Sequence, residues 1–216
     1  MPATSSNPSC ELDVGDVKVR FLPYGPRAFL AEFDSIEAVM GASTELRRAD
    51  LPSVREVVPG ARTVLVVHDG GDTSTIRDLL ATSSPLAAGV GPEIVVPVRY
   101  DGLDLEEVAT LTGLGVERVI ELHVGASYTV AFCGFMHGFG YLVGLPPELQ
   151  VPRRSTPRPR IDAGSVAIAG EWAGVYPSAS PGGWRLLGHT DVVMWDERRD
   201  PPGLLEPGMR VRFVPT

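Results

Sequence analysis

Two short apolar-rich runs, "VKVRFLP" and "AFLAEF", read as strands, and the turn-prone Tyr24-Gly25-Pro26 between them predicts a hairpin or two neighbouring strands. The period then changes. Ile36, Val39, Met40 and Leu46 recur at helical spacing behind Asp34 and Ser35, either of which can cap a helix ending near Asp50, ahead of Pro52. "VREVV" and "RTVLVVHD", joined by Pro59-Gly60, form a second expected hairpin. Thr73 to Leu80 makes a shorter helix with Ile76, Leu79 and Leu80 on one side, and "IVVPVRY" returns to strand. Strand, helix, strand, strand, helix, strand is the order of the split βαβ, ferredoxin-like plan. With one additional strand in front, it is assigned to residues 16–97.

Beyond Tyr100 the pattern differs. "DLEEVATLTG" opens with Asp104, Glu106 and Glu107 where the positive end of a helix favours acids, and "VERVIELH" predicts a second short helix ending near His123. "YTVAFC", "SVAIAG", "WAGVYP", "WRLLGHT", "VVMW" and "RVRFV" are strand candidates separated by Gly and Pro turns. They predict an all-β sandwich or barrel within residues 98–216, with the two helices packed against it. Residues 1–15, polar and rich in Ser and Pro, are expected to be a frayed tail. The fold class is therefore α+β in two domains.

Composition narrows the function classes. Of 216 residues, 44% are hydrophobic and 21% charged, enough to bury a real core. Nineteen basic against 27 acidic residues give a net charge of −8, which repels a phosphate backbone and argues against nucleic acid as a partner. The first sixteen residues lack a basic start and an apolar run, and no stretch approaches the roughly 20 apolar residues of a membrane span. A soluble, cytoplasmic protein is expected. Cys10 and Cys133 lie far apart and outside any CxxC spacing, a reduced-compartment pattern; the expectation is a tail thiol and a buried small side chain, with no metal site.

Three features could carry chemistry. Arg153, Arg154, Arg158 and Arg160 crowd into "PRRSTPRPR", where prolines favour a stiff, extended backbone that would turn Arg158 and Arg160 the same way. Guanidinium forks suit carboxylate or phosphate oxygens, although pairing with this chain's own surplus acids is the competing reading. In "SASPGGWRLLGHT", Pro181-Gly182 suits a type II turn, and Gly183 allows a close backbone approach. Successive amides there could cradle an oxyanion, and a plain hairpin turn explains the glycines equally well. His137, between Gly134 and Gly138, could move protons on an exposed loop, but nothing in the sequence supplies its orienting carboxylate. His68, His123 and His189 have no metal-ligand spacing, and no GxxxxGK[ST] or GxSxG occurs.

"YGPRAFLAEF", "GLGVERVIELH", "GFMHGFGYLVGLPPEL", "VPRRSTPRPRIDAGSVAIAG", "GVYPSASPGGWRLLGHT" and "DPPGLLEPGMRVRFVP" together resemble the kinase-A-inhibitor, or allophanate hydrolase subunit 1, family, also described as carboxyltransferase domain, subdomains C and D. The resemblance runs from about Val17 to the C-terminus. It implies a ferredoxin-like domain followed by a cyclophilin-like β-barrel, and work within a hetero-oligomer beside a larger subunit 2-like protein. The activity it implies is 5-oxoprolinase-like: ring opening of 5-oxoproline to glutamate with ATP, and magnesium as its counter-ion. It also leaves open a binding module that inhibits a sensor histidine kinase, and a subunit acting on urea, allophanate or another small amide, including carboxyl transfer.

On the matching positions, the resemblance implies ligand-facing roles for Phe139 and Tyr141, for Arg153, Arg154 and Arg158, and for Ser180, Gly182 and Gly183. The family usually reads "GFAPGFPYL", so Met136, His137 and Gly140 depart from it, and His137 is left as a local modifier rather than a shared base.

Overall fold

A computed structural model describes residues 10–14, 17–86 and 91–216, and divides into two compact units, 1–87 and 88–216. In the first unit the strands β1 (Cys10–Val14), β2 (Val17–Pro23), β3 (Ala28–Phe33), β4 (Val54–Pro59) and β5 (Thr63–His68) form an antiparallel sheet in the order β1-β2-β3-β5-β4. Alternation decides its faces. Phe29, Ala31 and Phe33 of β3 and Val64 and Val66 of β5 point into the core, where α1 (Ile36–Ala49) contributes Val39, Ala42 and Leu46, and α2 (Ser74–Thr82) contributes Ile76 and Leu80. Ser35 caps α1, its hydroxyl accepting the Ala38 N–H at 3.2 Å, and Asp50 ends the helix in a left-handed conformation.

The split βαβ order expected over 16–97 is not completed as the sequence suggests. The place beside β3 is taken by β2, delivered through the hairpin turn at Tyr24-Gly25, where Tyr24 N–H reaches Ala28 O at 3.0 Å. A local hairpin closes with far less loop entropy than a return from α2. That position being filled, the run "IVVPV" becomes β6 (Glu93–Val98), which pairs in parallel with β14 (Arg210–Pro215) of the second unit. The division accordingly falls at 87/88 rather than at 97/98. Part of the expected tail is also ordered, because Cys10–Val14 pairs along β2; residues 1–9 and 15–16, and the side chain of Cys10, lie outside the described set.

The second unit adds α3 (Leu105–Thr112), α4 (Val116–Gly125), β7 (Tyr128–Cys133), β8 (Gly140–Val143), β9 (Arg158–Ile161), β10 (Ser165–Ala169), β11 (Trp172–Val175), β12 (Ser180–Gly182) and β13 (Arg185–His189). Seven strands run in the order β13-β10-β11-β8-β7-β14-β6, and β9 with β12 makes a separate two-stranded ribbon. The two ends of the sheet nearly meet. Arg99 and His189 exchange both backbone hydrogen bonds at 2.8 Å, and the chain continues along β13 with Gly102 N–H to Leu187 O and Asp104 N–H to Leu186 O. Gly102 permits this approach, since a Cβ there would lie 2.3 Å from Leu186 O. The result is a nearly closed, barrel-like sheet. "VVMW", expected as a strand, supplies only an isolated bridge from Trp195 to Gly203.

Inside the barrel, Val96, Val130, Leu142, Ile168, Val175 and Phe213 pack with Val108 of α3 and Val119 of α4. A second cluster of Phe139, Ile161, Ala167, Tyr176 and Leu186 is joined by half-buried Tyr141 and Trp184. Within the larger core sits His123, stacked on Phe213 at 4.6 Å, its Nδ1 sharing a 2.8 Å hydrogen bond with the Tyr100 hydroxyl. Complete burial lowers its pKa from the ordinary 6.5 to about 3.

The unfolded chain therefore takes up a proton at this residue below about pH 6.5 while the folded chain refuses it, and stability falls with falling pH by at most about 1.4 kcal/mol per unit over that window. Chemical denaturation of wild type and His123→Phe between pH 7 and 4 is expected to show wild type losing stability relative to the variant; parallel curves would refute the assignment.

Candidate functional site

The segment 152–158 is shaped by an acid that begins a helix. Asp104, 1% exposed, accepts hydrogen bonds from Arg158 at 2.8 and 2.6 Å, from Arg154 at 2.9 Å and from the Leu186 N–H at 2.8 Å. Three residues along α3, Glu107 accepts Arg154 at 3.0 Å and pairs with Arg185 at 2.5 Å. Burial alone would raise the Asp104 carboxyl, but the Arg158 hydrogen bonds, the Leu186 N–H and the charges of Arg158 and Arg154 hold it below the ordinary carboxylate range. Arg185, itself buried, donates to Pro152 O at 3.2 Å, and Arg154 N–H donates to Gly183 O at 2.7 Å. The proline-stiffened segment is thus tied to α3 and to the chain leading into β13.

This arrangement sorts the arginines that the sequence grouped. Arg154 and Arg158 are turned inward rather than toward a ligand: both are ion-paired with Asp104, and Arg154 also with Glu107. Arg158 and Arg160 do not act together either, for Arg160 is exposed and pairs with Asp162 at 2.9 Å. Arg153 alone of the four is exposed with no carboxylate partner among the described residues. Its guanidinium lies against Gly183, where a Cβ would come within 3.3 Å of Nε and Nη2.

Arg153 edges a pocket of about 450 Å³ walled by Tyr141, Trp172 and Trp184 and floored by Gly170 and Ala169. The three rings meet nearly at right angles, Tyr141 to Trp172 at 5.7 Å and 90°, and Tyr141 to Trp184 at 5.6 Å and 73°. Tyr141 is half-buried; burial raises its hydroxyl pKa while the Arg153 charge opposes the rise.

The other candidates fall elsewhere. Phe139 is fully buried beneath this pocket, edge-on to Tyr141, Tyr176 and Trp184, so it supports the wall and cannot face a ligand. Gly182 is part of strand β12, opposite Arg158, rather than a type II turn; its missing side chain makes room for the Tyr176 hydroxyl, which a Cβ would meet at 2.5 Å. Ser180, also in β12, opposes Ile161, and its buried hydroxyl has no hydrogen-bond partner among the described residues. Gly183 does provide the close approach expected of it, towards Arg153 and Arg154.

His137 is exposed on the loop between β7 and β8, its ring stacked on Trp195 at 5.0 Å and 23°, in a groove shared with Cys133, Phe135 and Met136. No carboxylate orients it among the described residues, and this groove shares no lining residue with the Arg153 pocket. Phe135 adopts φ 68° in a tight turn closed by Met136 N–H to Gly134 O at 2.8 Å, which holds its ring exposed. Cys133 is half-buried, its thiol donating to Leu205 O at 3.5 Å.

The family model of the carboxyltransferase domain, subdomain C and D, matches residues 19–205. The chain belongs to this family. It is 42% identical over 177 residues to the B subunit of 5-oxoprolinase from Escherichia coli O157:H7, covering 78% of this chain and 81% of that protein. With the corresponding 5-oxoprolinase component of Bacillus subtilis it shares 45% identity over 124 residues, 56% of this chain and 52% of that one. Among solved structures, that of TTHA0988 superposes with a TM-score of 0.76 at 39% identity over 88% of this chain; the chain spans only 40% of that structure's length. The Kluyveromyces lactis urea amidolyase, at 20% identity and TM-score 0.74, covers 98% of this chain and 16% of its own, and shows the fold alone.

For this carboxyltransferase-domain chain, sequence reasoning passed over Asp104 as a helix-terminal acid and gave no role to Trp172 or Arg185. The signal was present but not decisive. An acid at the first turn of a helix is ordinary, and only burial distinguishes Asp104 from Glu106.

Replacing Asp104 by Asn is expected to destabilise the protein by on the order of 3 kcal/mol, because it leaves shielded guanidinium groups uncompensated. Since the folded-state pKa of Asp104 is depressed, its contribution is complete above the ordinary carboxylate range and is lost only as pH falls further. Urea denaturation at pH 7 checks the magnitude; a change below about 0.5 kcal/mol, the range of ordinary surface substitutions, would mean that the pair is not structural.

Proposed function

We propose that this chain works as the B-type component of a 5-oxoprolinase complex, a hydrolase assembly that opens 5-oxoproline to glutamate with ATP. One observation carries the reading: 42% identity maintained over 177 residues, spanning 78% of this chain and 81% of the Escherichia coli protein. In finer terms, the first unit is read as a permuted ferredoxin-like domain and the second as a cyclophilin-like barrel. A larger partner subunit completes the assembly; the 60% of TTHA0988 that lies beyond the match, 100% less the 40% covered, supports this. We place the complex in the cytoplasm; no described helix is long and apolar enough to cross a membrane. The urea amidolyase likeness is too distant to favour urea as substrate.

What this chain's residues can do follows from the pocket. An oxyanion reaching Arg153 would meet an unpaired guanidinium held in place by its backbone neighbours, at little entropic cost because Pro152, Arg154 and Arg158 are already fixed. The Tyr141 and Trp184 rings would hold a flat body beside it and exclude water. ATP supplies an activated carbonyl when it takes part, but its phosphates do not fit this pocket. The two neighbouring arginines that could share a triphosphate are bound to Asp104.

Co-expression with the remaining subunits and assay of oxoproline-dependent ADP release tests the proposal. Activity is expected only when this chain is present, and Arg153→Ala is expected to lower kcat/KM at least tenfold. Full activity of the assembly without this chain would refute it.

A further inference from the structure

We infer that the Arg153 pocket is a recognition site for a small monoanion with a flat body, a monocarboxylate of cyclic-amide size, and that it does not take a nucleotide phosphate chain. The inference rests on the 5-oxoprolinase reading and deepens it, by assigning to this chain the acid group of the substrate rather than the phosphates.

The pairing of the arginines decides the valence of the ligand. The segment 152–158 carries three arginines, yet Arg154 and Arg158 are held in ion pairs with Asp104 and Glu107, as Arg185 is with Glu107, which leaves Arg153 as the guanidinium at the pocket edge without a carboxylate partner among the described residues. A single guanidinium fork matches one carboxylate. A triphosphate brought to the same place would find one free guanidinium fork for its three phosphate groups, on a chain whose net charge is already −8. Recruiting Arg154 or Arg158 would take from the buried Asp104 one of the two guanidinium groups that compensate it.

Shape and hydrogen bonding decide the body. Tyr141 lines the same pocket as Arg153, and its hydroxyl offers a second donor there. The indoles of Trp172 and Trp184 and the bare backbone of Gly170 leave a void of about 450 Å³ with flat apolar walls, against which a planar amide ring can lie. Gly183 backs the guanidinium, and any side chain there would crowd it at 3.3 Å. The acids beneath the segment thus act as a valence filter: they fix the backbone and remove from the site the cations that a polyanion would need.

The test uses the full chain, titrated by calorimetry and by tryptophan fluorescence with 5-oxoproline, with its uncharged carboxamide, and with magnesium-ATP. The expected result is that the acid binds, that the carboxamide binds at least tenfold more weakly, and that ATP neither binds nor displaces the acid. Arg153→Ala should weaken the acid at least tenfold, Arg153→Lys should recover part of it, and both should keep the wild-type melting temperature because Arg153 is exposed and unpaired. Displacement of the acid by ATP, equal affinity for acid and carboxamide, or failure of the acid to bind at all would each overturn the inference. Its failure is separable from that of the complex. Full turnover by an assembly carrying Arg153→Ala sinks the pocket and leaves the complex, whereas acid binding to this chain without turnover in any assembly sinks the complex and leaves the pocket.

Discussion

The carboxylate of Asp104 is the point on which the second unit turns. It is shielded from water, yet it is charged, and a charge in that position is tolerated only because four N–H groups converge on it from Arg154, Arg158 and Leu186. Those donors come from two separate stretches of chain and meet an acid carried by a third. Satisfying one carboxylate therefore fixes the start of α3, the path of the proline-rich segment and the first residues of β13 relative to one another. The hydrogen bonds of Gly102 and Asp104 along β13 depend on the same registration, and they bring the two ends of the seven-stranded sheet together.

From that constraint the candidate site follows with few further assumptions. Once Arg154 and Arg158 turn inward to Asp104, the residue between Pro152 and Arg154 has to face outward, and Arg153 does. Once β13 is placed, Trp184 stands just before it and closes against Tyr141 and Phe139. Glycines matter here through volume. Gly174 leaves space for the Phe139 and Trp184 rings, which a Cβ would meet at 3.0 and 3.2 Å, so the aromatic wall can sit tight on the sheet. A structural ion-pair network and a binding pocket are thereby the two sides of one segment.

The two units show different ways in which local and long-range effects divide the work. In the first, a hairpin supplies the strand beside β3 before the chain has reached α2, so a plan that sequence order suggests is realised with another strand in the same place. In the second, β6 finds its partner more than a hundred residues away, in β14, because its buried Val96 and Val98 are needed in the barrel interior together with Phe213.

Much of this was legible from the residues alone. The runs that became β2, β3, α1, β4, β5, α2, α3, α4, β7, β10, β11, β13 and β14 announce themselves by period and punctuation, since a strand or helix with one buried face must repeat its apolar positions. The six segments that mark the family were equally visible. Strand pairing was not, because an apolar strand such as "IVVPV" carries no label for the sheet it joins. Nor could the sequence say which of four arginines stays free. Four guanidinium groups in nine residues are chemically alike; what separates them is which one lies within 3 Å of a buried carboxylate contributed from 50 positions earlier, and only the folded chain decides that.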